Sequence, residues 1–278
     1  MTPNLQTLSQ IINIKSLEIL QKTGKIQRVS LTVIDLENPS SVVSINGDVQ
    51  RYPASVVKLF WAIQSLVELQ ESKELDLLLG KMIVDSDDWA GQQIVDKLCG
   101  KDPQDPKDFE KAYEKRRKLE TFWHKLGYKT LKAAHKTFLN EYSEFDDWIK
   151  QNKSQNSVTS GMVADLWKKL WVNDPSLGLT ENKREKLLNW LRREPLHQAL
   201  KPEEKNFQAS LLGYNLPPEA VLYTKSGWRD NTINDSGVIV SNKANKKLGQ
   251  NSVIVVLSEL GESEGIDFLR SLFLNCLY

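Results

Sequence analysis

Residues 53–69 read PASVVKLFWAIQSLVEL, and from Val56 to Ile63 the run is apolar on nearly every side except for one lysine. A helix with that pattern has no solvent face and has to be enclosed by other elements. The chain must therefore build a core around it. Lys58 cannot be enclosed cheaply, because a buried ammonium costs several kcal/mol unless it is paired or loses its proton. Ser55 precedes Lys58 by three positions and shares its helix face. Desolvation lowers a lysine pKa and turns the side chain into a base near neutral pH. A serine beside such a base is an activated nucleophile. The bland alternative is an S-x-x-K of chance occurrence whose lysine snorkels to water, and the rest of the chain has to decide between them.

The 278 residues suit one large domain or two closely packed subdomains. Hydrophobic content of 40% and charged content of 26% are those of an ordinary water-soluble fold. A formal net charge of +1 implies no bulk attraction to nucleic acid or anionic membrane. Two cysteines, Cys99 and Cys276, exclude a disulfide scaffold and a Cys-rich metal site. His124, His135 and His197 sit in no metal-ligand spacing, so no metal and no zinc is expected, and each reads as a structural residue. There is no G-x-S-x-G elbow, Walker loop or G-x-G-x-x-G, and no organic cofactor is implied. No run approaches the length of a membrane span. The N-terminus reads as an amphipathic helix rather than a signal peptide, which leaves localisation open.

Along the chain, residues 4–22 carry helical apolar spacing. Strands are expected at 26–36 and 41–49, with a turn at Asn38-Pro39-Ser40. Residues 59–211 read mostly helical. Within them 100–120 is a highly charged stretch with only Phe109, Ala112, Tyr113 and Leu119 to bury, which favours a solvated helix face. Residues 150–157 form a polar loop before a helix capped near Thr159 or Ser160. Strands return at 220–227, 236–242 and 251–260, and a C-terminal amphipathic helix closes the chain. The expectation is an α+β fold: an antiparallel sheet flanked by terminal helices, with a second all-helical lobe. As one domain over 1–278, its α/β lobe would take residues 1–58 and 212–278 and its helical lobe 59–211.

Two further short patterns follow Ser55-Val56-Val57-Lys58 in order. Ser86-Asp87-Asp88 opens a predicted helix, where Ser86 or Asp87 also reads as a plain N-cap. Lys225-Ser226-Gly227 ends a predicted strand, where a lysine and a hydroxyl suit an anion. Each pattern is weak alone. Their order and settings together resemble the serine β-lactamase and penicillin-binding protein superfamily, the class A β-lactamases most of all. KSGWRDNTINDSGVIVS followed by NSVIVVLSE is especially similar to the end of a class A enzyme.

The resemblance implies roles. Ser55 would be the acylated nucleophile, Lys58 would help take its proton, and Ser86 would pass a proton to the leaving nitrogen. Lys225 would polarise Ser86 and attract a substrate carboxylate that Ser226 hydrogen-bonds. The Ser55 and Trp228 N–H groups would form the oxyanion hole, with Gly227 and Asp88 lining the substrate site. The substrate would be a small β-lactam or a peptidoglycan-like peptide, hydrolysed without a cofactor. The alternatives are a D-amino acid peptidase or esterase, and a slow penicillin-binding or sensor module. Family members usually work outside the cytoplasmic membrane.

Two departures stand out. Asp88 replaces the usual asparagine; an ionised carboxylate only accepts hydrogen bonds and is able to pair with Lys58. Class A enzymes clear the acyl-enzyme with the glutamate of an E-x-x-L-N loop, whereas the matching run here begins with Lys136. Glu141 and Glu144 follow and offer a replacement base through a shifted loop, although their acidic run reads more simply as solvated surface.

Overall fold

The computed structural model describes residues 18–137, 143–194, 211–214, 216, 220–229, 231–240 and 251–277. Helices α1 (Val57–Glu68), α2 (Lys73–Val84), α3 (Asp88–Cys99), α4 (Phe109–Arg116), α5 (Lys118–Lys125) and α6 (Glu144–Asn152) are followed by α7 (Ser160–Trp171), α8 (Glu181–Leu191) and α9 (Glu262–Leu277). The strands are β1 (Val29–Asp35), β2 (Val42–Ile45), β3 (Arg192–Arg193), β4 (Val221–Thr224), β5 (Gly227–Arg229), β6 (Thr232–Val240) and β7 (Asn251–Ser258). The fold is α+β. It divides into a sheet unit, residues 1–51, 159–171 and 192–278, and a helical unit, residues 52–158 and 172–191.

In the sheet unit, β-branched runs make the antiparallel order β2-β1-β7-β6-β4-β3, with β5 paired to β6. Val33 lies opposite Val43 on one side and Ile254 on the other, so β1 is interior. Successive side chains of a strand point to opposite faces. Leu31 and Val33 therefore join Ile254 and Val256 in one core layer with Phe268, Leu269 and Leu272 of α9 and Leu20 of the helical residues 18–22. Thr32 faces the other way and shares a hydrogen bond of 2.9 Å with Ser160 at the start of α7. With helices on both faces the central strands have no wet side, which is why the middle of β7 reads as unbroken Val/Ile/Leu and why Ser30 and Thr32 of β1 are buried.

Two differences from the sequence expectation concern this unit. Residues 26–28 form a 3-10 turn ahead of β1. Helix α7, expected within the 59–211 lobe, packs on β1 and β7 and belongs with the sheet. Its stripe of Val163, Ala164 and Trp167 is as apolar as that of any helix, and only its partner reveals which core it serves. The expected helix over 4–22 and the strand end at 241–242 lie mostly or wholly outside the described residues.

In the helical unit, α1 is buried from Val57 through Leu66, as its pattern requires. It lies against α2, α3, α5 and α8. Phe60 meets Trp123 edge-on, with ring centroids 5.0 Å apart. The charged stretch around residues 100–120 is more than a wet face. Phe109 and Tyr113 enter a second small core with Phe145 and Ile149, and Arg116 is buried as well. Arg116 pairs with Asp102, and with Asp146 at 3.3 Å. Among the described residues no helix is long and apolar enough to cross a membrane.

Candidate functional site

The helical unit brings three of the sequence-selected residues into direct contact. Lys58, on the first turn of α1, has no exposed surface. Its Nζ donates to Asp88 Oδ1 at 2.5 Å and to the Ser86 carbonyl at 2.6 Å. Burial pulls the Lys58 pKa below its ordinary value, and Asp88, then Asp87, pull the other way without cancelling it. The result is a desolvated amine held in place by one carboxylate, which suits a group that has to give and take a proton.

Local backbone explains how the contact forms. Asp87 caps α3 by accepting the Ala90 N–H at 2.6 Å, which fixes the helix start and with it Asp88. Ser86, just before the cap, has φ of 56°, a left-handed conformation that turns its carbonyl toward Lys58. Gly91 lies one turn further along. A Cβ there would stand 3.4 Å from Lys58 Cε, at ordinary van der Waals contact, so the lysine stem runs directly along this face of α3. Ser55 is half-buried in a 3-10 turn, Ala54–Val56, that leads into α1. The residue before it, Ala54, has φ of 46°. Non-glycine residues in this region cost of order 1–3 kcal/mol and concentrate at functional sites. Here two of them flank the serine and the lysine's partner.

The sheet unit carries the remaining group. Lys225 and Ser226 follow β4 directly and are buried. The Lys225 N–H donates to the Ser236 carbonyl at 2.9 Å, and Ser236 Oγ donates to the Lys225 carbonyl at 2.9 Å. Lys225 Nζ donates to the Ser226 carbonyl at 2.9 Å. Gly227 opens β5, and Trp228 is half-buried against the sheet core.

Sequence reading missed Asp235. It is fully buried on β6, where its Oδ1 accepts from Thr224 Oγ1 at 2.5 Å and from the Ser236 N–H at 2.8 Å. Its Oδ2 accepts the Leu212 N–H at 3.0 Å. Burial pushes this carboxyl up to about 7, against the three donors and the Lys225 charge. The signal was present: Asn234-Asp235-Ser236 puts polar residues on both faces of a strand that is buried on both, and such a run has to be internally hydrogen-bonded.

The two glutamates suggested for an acyl-clearing base fare differently. Glu141 lies outside the described residues, and Glu144 is exposed in the first turn of α6. Lys136 is buried, with its Nζ 2.7 Å from Asp96 and 3.0 Å from Asp102. Its N–H donates to Asp146 at 2.8 Å. Lys136, which opens the run nearest to the E-x-x-L-N pattern, is therefore a structural cation. His135 beside it has both ring nitrogens engaged, at 2.9 Å to the Lys136 carbonyl and 2.8 Å from the Asn156 N–H. These bonds tie the imidazole to the backbone on both sides.

Comparison with known proteins agrees with this architecture. No curated protein sequence matches the chain. A β-lactamase from Xanthomonas campestris superposes with a TM-score of 0.66 at 13% identity, covering 96% of each chain. A mutant of the penicillin-binding protein PBP-A, solved as an acyl-enzyme with penicillin G, gives 0.66 at 18% identity over 99% of this chain and 97% of that one. A β-lactamase from Streptomyces albus G gives 0.62 at 16% identity, over 94% and 97%. At such identities the likeness is one of fold, the β-lactamase/transpeptidase fold. The model of the β-lactamase enzyme family matches residues 73–259, well over half of the sequence, and the chain belongs to that family.

Proposed function

We propose that this protein is a serine hydrolase that forms an acyl-enzyme with β-lactams and releases it slowly. The observation that carries the reading is the buried Lys58, desolvated and held by Asp88 one helix turn from Ser55. In the proposed reaction Ser55 Oγ attacks the lactam carbonyl carbon and Lys58 receives the hydroxyl proton. The C–N bond breaks, and the proton reaches the leaving nitrogen through Ser86. The N–H groups of Ser55 and Trp228 hold the developing oxyanion, a role in which one donor is typically worth about 3–4 kcal/mol. Lys225 and Ser226 receive the substrate carboxylate, and Asp88 and Gly227 border the substrate. Water then has to cleave the ester, and the slow release follows from Lys136, which is committed to Asp96 and Asp102 and offers no base.

Intact mass after exposure to penicillin, followed for hours, tests this. The expected result is one persistent adduct on the wild type and none on Ser55→Ala. Absence of any adduct overturns the acyl-transfer reading, and rapid return to the free mass overturns slow release. A second reading, a peptidase or esterase on D-amino acid peptides, is favoured by the same Lys136, which stands where the nearest E-x-x-L-N match begins and offers no base. Release of D-alanine from a short peptide would select it. An adduct with neither nitrocefin turnover nor peptide cleavage would select a binding or sensor module.

A further inference from the structure

None of the residues proposed for acyl transfer lines the pocket of about 260 Å³ that lies beside the end of α3 and the exposed side of α4 in the helical unit. Its walls are of two kinds. Cys99, Ala112 and Phe145 give it an apolar side, and Lys101, Lys111 and Lys115 bring cations to it. Lys111 and Lys115 are four apart on α4 and share its face, where like charges repel. Lys101 joins them because Gly100, with φ of 90°, turns the chain sharply out of α3.

Several neighbouring cations are matched by acids, though among the described residues Lys107 is not. Arg116 pairs with Asp102 and Asp146, Arg117 with Glu114, and Lys153 with Glu110. Lys101, Lys111 and Lys115 are exposed, and among the described residues none of them makes an ion pair. Asp108 is the one carboxylate on the wall. Arg116 also reaches the pocket, but its charge is already met within the fold. Burial pushes the Cys99 thiol up to about 11, so it remains a neutral, unreactive part of the apolar side.

We propose that this pocket is a binding site for a small organic anion, with a phosphate or carboxylate group on Lys101, Lys111 and Lys115 and a short apolar body against Ala112 and Phe145. Converging cations lower the free energy of a bound anion, and the partly apolar wall favours an ester or aryl acid over a bare ion. The volume lies below the ~300–1,000 Å³ of sites for drug-sized ligands, which limits the occupant to a small one.

Thermal unfolding of the full chain, at ionic strength held constant with chloride, tests the proposal with phenyl phosphate, benzoate and inorganic phosphate. The expected result is a saturable rise in Tm with phenyl phosphate, benzoate or both. Inorganic phosphate should bind at least tenfold more weakly than the better organic anion. Changing all three lysines to serine should leave the ligand-free Tm nearly unchanged, because the side chains are exposed, and weaken binding at least tenfold. Should that triple variant fail to fold, Lys115→Glu alone replaces it, with the same loss expected. No saturable rise, or an equal rise in wild type and variant, overturns the site. Equal affinity for inorganic and organic phosphate overturns the apolar half of it.

Discussion

At the scale of single residues, Lys58 and Asp235 show two ways of burying a charge. Burial pulls the Lys58 pKa below its ordinary value, and the paired Asp88 carboxylate offsets only part of that effect. Lys58→Met should slow acylation by penicillin about 10²–10⁴-fold, the usual worth of a general base, while leaving the far-ultraviolet circular dichroism intact. Asp88→Asn removes the main influence holding the lysine proton. The lysine pKa should fall further, and the rate of adduct formation should reach half its maximum at lower pH than in the wild type. An alkaline displacement would contradict the proposed base. Asp235 is the opposite case, a carboxyl whose folded pKa of about 7 lies above its ordinary value because of burial. The folded state then binds the extra proton. Stability from this group is complete below about pH 4 and is lost as pH rises through about 7, on the order of 4 kcal/mol. Urea titrations of wild type and Asp235→Asn between pH 4 and pH 8 should converge if Asp235 is responsible, the wild type losing its relative advantage as pH rises. Lys58 was legible in the sequence because an isolated charge in an apolar helix has few explanations. Asp235 showed in the sequence only as one residue of a polar run, because the partners that decide its state, Thr224, Leu212 and Lys225, are distant in the chain or on a neighbouring strand.

Elements follow from local chemistry wherever a cap or a close contact sets their ends. Asp87→Ala removes the cap of α3 and should cost about 1 kcal/mol, read by urea denaturation. Because Asp88 is placed by that helix start, the same change should also slow acylation more than the stability loss explains. In the sheet, Gly237 lies opposite Thr224, one residue before Lys225. A Cβ on Gly237 would stand 2.1 Å from the Tyr223 carbonyl oxygen, a backbone atom that cannot move aside cheaply. Gly237→Ala should therefore lower Tm by several degrees, an overpacking cost of roughly 1–3 kcal/mol or more. Strands β1, β6 and β7 were readable because Val and Ile runs have few alternatives. The short β5 was not, since Gly227-Trp228-Arg229 pairs only because β6 is there to receive it.

For the whole molecule, most acidic and basic side chains of the charged middle are exposed, but a few turn inward and build an interior framework with charges from other helices. Arg116, Lys136, Asp96, Asp102 and Asp146 form a connected set, closed by Ser143, whose hydroxyl donates to Asp102 at 3.0 Å and to Asp146 at 2.8 Å. Arg116 and Lys136 overcome the burial of Asp102 and hold its carboxyl below the usual range, whereas burial dominates at Asp146 and raises it. Breaking a buried pair strands the other charge, so Arg116→Ala should cost about 3–5 kcal/mol by urea denaturation. Placing a glutamate at Lys136 should not create a fast β-lactamase. It would set a third carboxylate against Asp96 and Asp102, and Lys136→Glu should unfold at lower urea with its acyl-enzyme still persistent.

What the sequence determined by itself was whatever depends on neighbours in the chain: the buried α1 with its lysine, the caps, the β-branched strands and the order of three short patterns that resembles a family. Those signals act over one to eight residues and survive without knowledge of the fold. What only the tertiary structure decided was which charges meet. It sent α7 to the sheet, made Lys136 and Arg116 parts of an interior ion cluster, and gave Asp235 its donors. A carboxylate in a sequence is the same residue whether water or a buried arginine faces it, and the difference between surface charge, structural ion and proton carrier is set by desolvation and by partners brought from elsewhere in the chain.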